Sequence, residues 1–186
     1  MFSINRLISL CVLLALGGAA ACTTYQTYEA NKLVESSQAV LNLANESAEK
    51  ANTGLEKMNR GVDQAENEND LEDLQALAKQ VIADYEKARD GYKEGASKFE
   101  AASKMRLQDK QKEYYELRGK ELIKRSEVMD AVMGEPKGLL ESNSVEEYRQ
   151  KATTVIQKIH SLNKEADELK GKADTILAEN KGMFKE

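Results

Sequence analysis

From about Leu33 onward, apolar and small residues recur at steps of three and four: Leu33, Ser37, Val40, Ala44, Ala48, Ala51, Leu55, Met58, Val62 and Ala65. Such steps lie on one stripe of a helix, predicted over about 31–66. Asn67, Asn69 and Asp70 read as a turn, with Asp70 or Asn69 suited to cap a second helix. That helix carries the stripe Leu71, Leu74, Ala78, Val81, Tyr85, Ala88, Tyr92, Ala96 and Phe99.

Folding the chain back at the turn aligns the two stripes throughout. Leu71 meets Ala65, Leu74 meets Val62, Ala78 meets Met58, Val81 meets Leu55, Tyr85 meets Ala51, and Tyr92 meets Ala44, so large mostly opposes small. The double step of four at Val40, Ala44 and Ala48 is mirrored at Ala88, Tyr92 and Ala96. A stutter must be accommodated by both partners of a coiled coil. The pattern predicts an antiparallel hairpin in which aromatic knobs enter holes floored by alanine. On this reading Tyr85, Tyr92 and Phe99 are core residues and form no cofactor box. Gly91 and Gly95 weaken the helix locally, by about 1 kcal/mol each relative to Ala.

Ser103 to Lys112 is almost wholly polar but holds no Gly or Pro, so helix is predicted to continue through it, over about 70–133, straight or bent near 104–112. Tyr114, Tyr115, Leu122, Met129, Val132 and Met133 resume the apolar pattern, with Arg118 and Arg125 on the same stripe as snorkelling stems. Gly134, Pro136 and Gly138 are expected to end this helix, Gly134 as its C-cap. Ser144 with Glu147 forms a capping box for a last helix, about 144–181, whose heptad runs Val145, Tyr148, Ala152, Val155, Ile159, Leu162, Ala166, Leu169, Ala173 and Ile176. A second hairpin folded at the Gly/Pro segment would set Val145 near Val132, Tyr148 near Met129, Val155 near Leu122 and Leu162 near Tyr115.

The predicted class is therefore all-α, built of long antiparallel, coiled-coil-like hairpins. If the middle stretch is one helix the result is an extended three-helix rod; if it bends sharply the hairpins stack as a four-helix bundle. Apolar residues off the main stripes (Val34, Leu41, Leu77, Ile82, Ile156) favour lateral packing, and the lack of a breaker favours the rod.

The first 22 residues follow a different pattern. Arg6 closes a short, weakly basic start, Leu7 to Leu16 are apolar, and Gly17 to Ala21 are small residues that end at Cys22. That layout reads as an export signal over 1–21, with an apolar run too short for a permanent membrane span. The neck Ala19, Ala20, Ala21, Cys22 resembles the lipobox of bacterial lipoproteins, which usually has Leu where this chain has Ala19. The resemblance implies cleavage between Ala21 and Cys22. It further implies a diacylglyceryl thioether on Cys22, often with a further acyl chain such as palmitate on the new amine, and, because Thr23 follows, transfer to the outer membrane facing the periplasm. Residues 22–30 would then form the lipidated N-terminus and a tether holding Tyr25 and Tyr28, and 31–182 a single helical domain. Ala19 and Ala21 also fit the ordinary secretory cleavage rule, which would release a soluble protein from the same bond. One acyl chain holds a protein marginally and two or three hold it stably, at about 0.8 kcal/mol per buried methylene. Cys11 leaves with the signal, so the mature chain has no partner for an internal disulfide.

Composition narrows the functional classes. The chain has 186 residues with 32 acidic and 27 basic side chains, one Pro and no Trp. Only Arg6 precedes Cys22 among charged residues, so the mature part is mildly acidic and offers no electrostatic footprint for nucleic acid or an anionic lipid surface. His160 is the only histidine and sits on the flank of the last heptad, expected at the surface. Helical di-metal sites and Cys/His zinc sites lack their ligands, and no nucleophile system, P-loop or dinucleotide loop is present. The acidic run Glu66, Glu68, Asp70, Glu72, Asp73 suits a helix N-terminus better than a calcium loop.

No catalytic residue, metal or cofactor is therefore expected. The favoured function is a non-enzymatic, membrane-anchored structural or adaptor component of the cell envelope. Its partners would be the membrane, through acyl chains on Cys22, and an envelope protein, with homo-oligomers open. The string Tyr85 to Ala88 through Phe99 to Ala102 looks like the second helix of a tetratricopeptide repeat, which would make the chain a binding module, although no 34-residue self-similarity accompanies it.

Overall fold

The computed structural model describes residues 4–65, 68–151 and 156–184, with side chains over 25–65, 70–149 and 157–184. Among the described residues all regular structure is helical: α1 (Ile4–Gln64), α2 (Glu68–Ser103), α3 (Asp109–Val132), α4 (Gly134–Leu140), α5 (Val145–Lys151) and α6 (Ile156–Glu179), then a 3-10 turn at Lys181–Met183. Each long helix packs on the one before it, in the order α1, α2, α3, α6, and α4 continues the line of α3 along α2.

The α1–α2 hairpin has the register its stripes dictate. A Cβ on Gly61 would meet Leu74, one on Gly54 would meet Val81, and one on Gly91 would meet Ala44. Ala44, Ala51, Met58, Ala78, Val81, Tyr85, Ala88, Tyr92, Ala96 and Phe99 are all buried. Burying a residue such as Met58 contributes about 1.5–3 kcal/mol, so the hairpin alone makes a substantial core. Where the stripe stutters, the buried position moves from Val40 to Leu41, which reaches Gly95 together with Leu122. Leu41 is one of the off-stripe residues, and it joins α1, α2 and α3 in one core.

The continuous middle helix is not what forms. Helix α2 ends at Ser103, the chain turns through Lys104–Gln108, and α3 returns antiparallel along α2. The stop is tertiary in origin, because Leu107 is buried within the turn and Gly119 of α3 approaches Ala96 of α2, 3.5 Å from the ideal Cβ position to the carbonyl oxygen. Locally, the Gln111 side-chain oxygen accepts from the Gln108 amide (3.2 Å), the Ser103 hydroxyl donates to the Glu100 carbonyl (2.8 Å), and Asp109 stands in the first turn of α3. The hairpins therefore stack as a helical bundle, and the extended rod is excluded.

Residues 134–138 also depart from expectation, since they lie in α4 instead of an open turn. Met133, in right-handed helical conformation, is the C-cap of α3, and no described glycine has a positive φ. Pro136 occupies the first turn of α4, where an amide proton has no intrahelical acceptor to lose, and its ring is buried. Gln75 fastens α4 to α2 by donating to the carbonyls of Leu139 (3.3 Å) and Ser142 (3.1 Å).

The extra helix displaces the register of the second hairpin by about two heptads. Leu162 does not sit opposite Tyr115; instead Tyr114 meets Phe184 edge to face, Lys124 pairs with Glu165, and Arg125 with Asp167. Tyr148 leaves Met129 for a separate cluster with Met58, Val62, Leu74, Ala78 and Leu139. Ser144 does cap α5, its hydroxyl accepting from the Glu147 amide at 3.1 Å, while the Glu147 carboxylate reaches the Asn143 amide at 2.8 Å. Ala152 and Val155 of the last heptad lie outside the described residues.

Candidate functional site

Cys22 falls within the backbone span of α1, but its side chain, like those of Ala19 to Ala21, lies outside the described residues. The expected tether at residues 22–30 is helical, continuous with the rest of α1, and it exposes Tyr25 (61%) and Tyr28 (53%). Among the α1 side chains that are described, Ala30 is the first that is fully buried.

The bundle has two unlike ends. At the end where α1 enters, the tyrosyl hydroxyl of Tyr115 donates to Oδ1 of Asn31 (3.1 Å), the Gln111 amide donates to the Met183 carbonyl (2.7 Å), and Phe99, Tyr114, Tyr115 and Phe184 form a ring cluster with centroids 5.0–6.2 Å apart. Around it stand Lys104, Arg106, Lys110, Lys112 and Lys181 together with Glu29, Glu100, Asp109, Glu113 and Glu179, so this end is of mixed charge. Lys104 pairs with Glu100 and Lys110 with Glu113, and the latter contact raises the Lys110 pKa. Arg106, Lys112 and Lys181 have no ion-pair partner among the described residues. The opposite end, at the α1–α2 turn and α4–α5, is rich in carboxylates, among them Asp63, Glu72, Asp73 and Glu141. Glu66 and Glu68 of the acidic run lie outside the residues whose side chains are described.

Tyr85 and Tyr92 of the tetratricopeptide-like string face α1 across a helix seam, while Lys93, Ala96, Ser97 and Glu100 of the same string line a shallow groove towards α3. The hydroxyls of Tyr85 and Tyr92 donate to Oδ1 of Asn52 and Asn45, both at 2.7 Å. Burial raises the pKa of Tyr85, Tyr92, Tyr114, Tyr115 and Tyr148, and pushes Tyr115 up to about 12. The asparagines are a signal the sequence holds and stripe reading passes over. Asn45 and Asn52 are seven residues apart and flank Ala44 and Ala51, which oppose those same tyrosines.

Arg118 and Arg125 are neither free stems nor an open anion site. Glu121, with only 3% of its side chain exposed, lies between them, 2.8 Å from Arg118 Nη1 and 2.6 Å from Arg125 Nε. Arg118 also lies over the Phe99 ring at 5.7 Å, and its Nε makes no hydrogen bond. The position an external anion would take is filled by the chain's own carboxylate.

Shallow grooves lie between the helices among the described residues. One of about 450 Å³ lies between α2 and α3, floored by Ala96 and Gly119 with Ile123 at its edge and Lys93, Glu116, Lys120 and Lys124 on its rim. Another, of about 540 Å³, lies between α1 and α2 beside Gly54 and Val81 under a rim of mixed charge. His160 is exposed on α6. Among the described residues no group of three or more His, Cys, Asp or Glu is placed to hold a metal ion, and no helix is long and apolar enough to cross a membrane. Comparisons with models of known protein families, with curated proteins and with solved structures find no match to this chain.

Proposed function

We propose that this chain is a lipid-anchored component of a bacterial envelope, displaying its helical bundle from Cys22 as a non-enzymatic scaffold or adaptor in the periplasm. The observation that carries the reading is the order Arg6, Leu7 to Leu16, Gly17 to Ala21, Cys22, in which an apolar run of export-signal length ends on small residues and a cysteine. A thiol at the terminus of an exported chain without a second cysteine finds its use in the thioether. The helical continuity of α1 agrees with a display role, because a helix from the anchor into the core gives the bundle a defined distance from the surface. Among the described residues, Glu121 is held by two arginines of its own helix, Arg125 reaching on to Asp167 of α6, and the Tyr85 and Tyr92 hydroxyls bond asparagines across the α1–α2 seam.

Mass spectrometry of the mature N-terminus tests this. A first residue Cys22 carrying a diacylglyceryl group is the expected result, with an additional acyl chain on its amine in a fully processed product. A mature protein with a bare Cys22 thiol, found in the soluble fraction, would replace the anchor by free secretion. Crosslinking in intact cells then tests the adaptor role, which requires recovery of a specific envelope protein.

A further inference from the structure

We propose that α4 and α5 form a strap that opens as a unit from the end of the α1–α2 hairpin and covers a docking site for a partner helix carrying a leucine and an aromatic side chain. The inference deepens the adaptor reading by giving it a contact site, and it does not depend on the lipid anchor. Its ground is a division in the core. Met133 at the end of α3 belongs to the main apolar cluster, as does Leu162 of α6, with Ile159 packed against it. Leu139 of α4 and Tyr148 of α5 belong instead to a second cluster, with Met58, Val62, Leu74 and Ala78 of the hairpin. Leu55 and Leu77 border both clusters. Among the described residues the chain therefore leaves the main core after Met133 and rejoins it at Ile159.

Within itself the strap is tied at several points. The Tyr148 hydroxyl donates to Oε1 of Glu135 (3.4 Å), the Ser142 hydroxyl to the Gly138 carbonyl (2.8 Å), and the Asn143 amide to the Glu147 carboxylate (2.8 Å). Its ties to the hairpin are fewer. The Gln75 side chain donates to the carbonyls of Leu139 and Ser142, the Arg149 guanidinium donates to the Val62 carbonyl, and Leu139 and Tyr148 are buried in the second cluster with Leu140 and Val145 at its edge. The three carbonyls lie in or just past the last turn of a helix, where water serves them when the strap lifts. Helices α4 and α5 have seven residues each, too short to stay helical in water alone, so docking is what orders them. A segment joined closely within itself and thinly to its surroundings opens as a cooperative unit at less cost than global unfolding.

The nature of the partner follows from what fills the site when it is closed. Lifting the strap takes Leu139 and Tyr148, both buried, away from Met58, Val62, Leu74 and Ala78, and leaves an apolar cleft at the closed end of the hairpin. Gln75 then offers a side-chain amide to carbonyls at the end of an incoming helix, and the Val62 carbonyl offers an acceptor to a basic side chain, the places that Leu139, Ser142 and Arg149 hold in the closed form. A helix laid into such a cleft binds through a few anchoring side chains on one face. The strap prescribes them as a leucine, an aromatic ring and an arginine or lysine.

Hydrogen exchange read by mass spectrometry on the purified protein measures the opening. Amides over 135–149 should exchange together, about tenfold or more faster than those over 81–99 of α2. Gln75→Ala should speed the strap further and leave α2 and α3 unchanged. Strap amides as slow as those of α2 overturn the proposal. The probe for the site is a fluorescein-labelled peptide of residues 134–151. It should bind the full chain carrying Leu139→Ala and Tyr148→Ala, whose own strap is weakened, about tenfold or more tightly than it binds the parent, and a peptide with the same two substitutions should bind neither. If that variant loses the helical circular dichroism of the parent, Gln75→Ala takes its place in the comparison. Equal binding to variant and parent, or binding to neither, overturns the docking site. A Gln75→Ala protein that dimerises without peptide makes the occupant a second copy and overturns the choice of a partner helix. Cell crosslinking that recovers no envelope protein while the peptide binds removes the adaptor reading and leaves the strap standing.

Discussion

The hydroxyl of Tyr92 donates to Oδ1 of Asn45 across the α1–α2 seam at 2.7 Å, and one heptad along the same seam Tyr85 makes the same bond to Asn52. Each ring is buried while its asparagine is exposed, so the aromatic body fills an alanine-floored hole and the polar tip meets a partner at the rim. Tyr92→Phe keeps the packing and removes only the bond. Because water can replace the hydroxyl at Asn45, the expected cost is about 0.5–1.5 kcal/mol. Urea denaturation of Tyr92→Phe, Asn45→Ala and the double variant checks it: the two single losses should not add, and full additivity would mean the bond contributes nothing.

Gly91 and Gly171 should respond in opposite ways to alanine. A Cβ at Gly91 would lie 2.8 Å from the Ala44 Cβ and 3.5 Å from the Val40 carbonyl oxygen, and alanine has no rotamer that retreats. The helices must part, costing about 1–3 kcal/mol against a propensity gain of about 1. Gly171 on α6 has nothing within 4 Å, so Gly171→Ala keeps the gain and should stabilise by about 0.5–1 kcal/mol. Thermal melts of the two variants give the comparison. A stabilised Gly91→Ala would show that the α1–α2 seam is looser than the distances state.

How legible these features were depends on whether the physics was local. The first hairpin could be read because a short turn fixes the register and Tyr85 and Tyr92 have alanines opposite them. The α2–α3 turn could not, since Lys104–Gln108 holds good helix formers and what stops the helix is burial of Leu107 with the close approach of Gly119 to α2. Leu41, off the main stripes and counted in the sequence in favour of lateral packing, is the residue that joins α1, α2 and α3. Pro136 misled for a related reason, because a proline in a first turn starts a helix as readily as it ends one. That left the second hairpin two heptads out of register. Glu121 and Arg125, four residues apart, read in the sequence as an ordinary pair on a solvated helix surface, and nothing local says that Glu121 is buried between Arg125 and Arg118.

Glu121 should be the costliest polar residue to neutralise. Glu121→Gln leaves Arg118 and Arg125 facing one another without the carboxylate between them, and removing one partner of a buried ion pair costs about 3–5 kcal/mol. The guanidinium side chains keep 18% and 28% exposure, so the low end of that range is expected. Glu121→Gln combined with Arg118→Met should recover part of the loss, because it removes a charge the variant has orphaned. Denaturant midpoints decide the matter. A single variant within about 0.5 kcal/mol of the parent would show the triad to be solvated, as ordinary surface pairs are.

Alkaline pH should unfold the bundle through its tyrosines. The ordinary phenol value is 10.0, and burial raises Tyr85, Tyr92, Tyr114, Tyr115 and Tyr148 above it, Tyr115 to about 12. The folded state therefore holds protons that the unfolded chain releases. The stabilisation from neutral phenols is fully present below about pH 10 and is lost as pH rises through the folded values. Phenolate absorbance and helical circular dichroism followed together from neutral pH upward should show the buried tyrosines ionising in the same transition in which helix is lost. Tyr115→Phe should reduce the slope of stability against pH above 10 by the equivalent of one proton, although it also loses the bond to Asn31. Phenols that titrate near 10 while the helices stay intact would place these rings in contact with solvent and remove the packing on which the α1–α2 and α3–α6 seams depend.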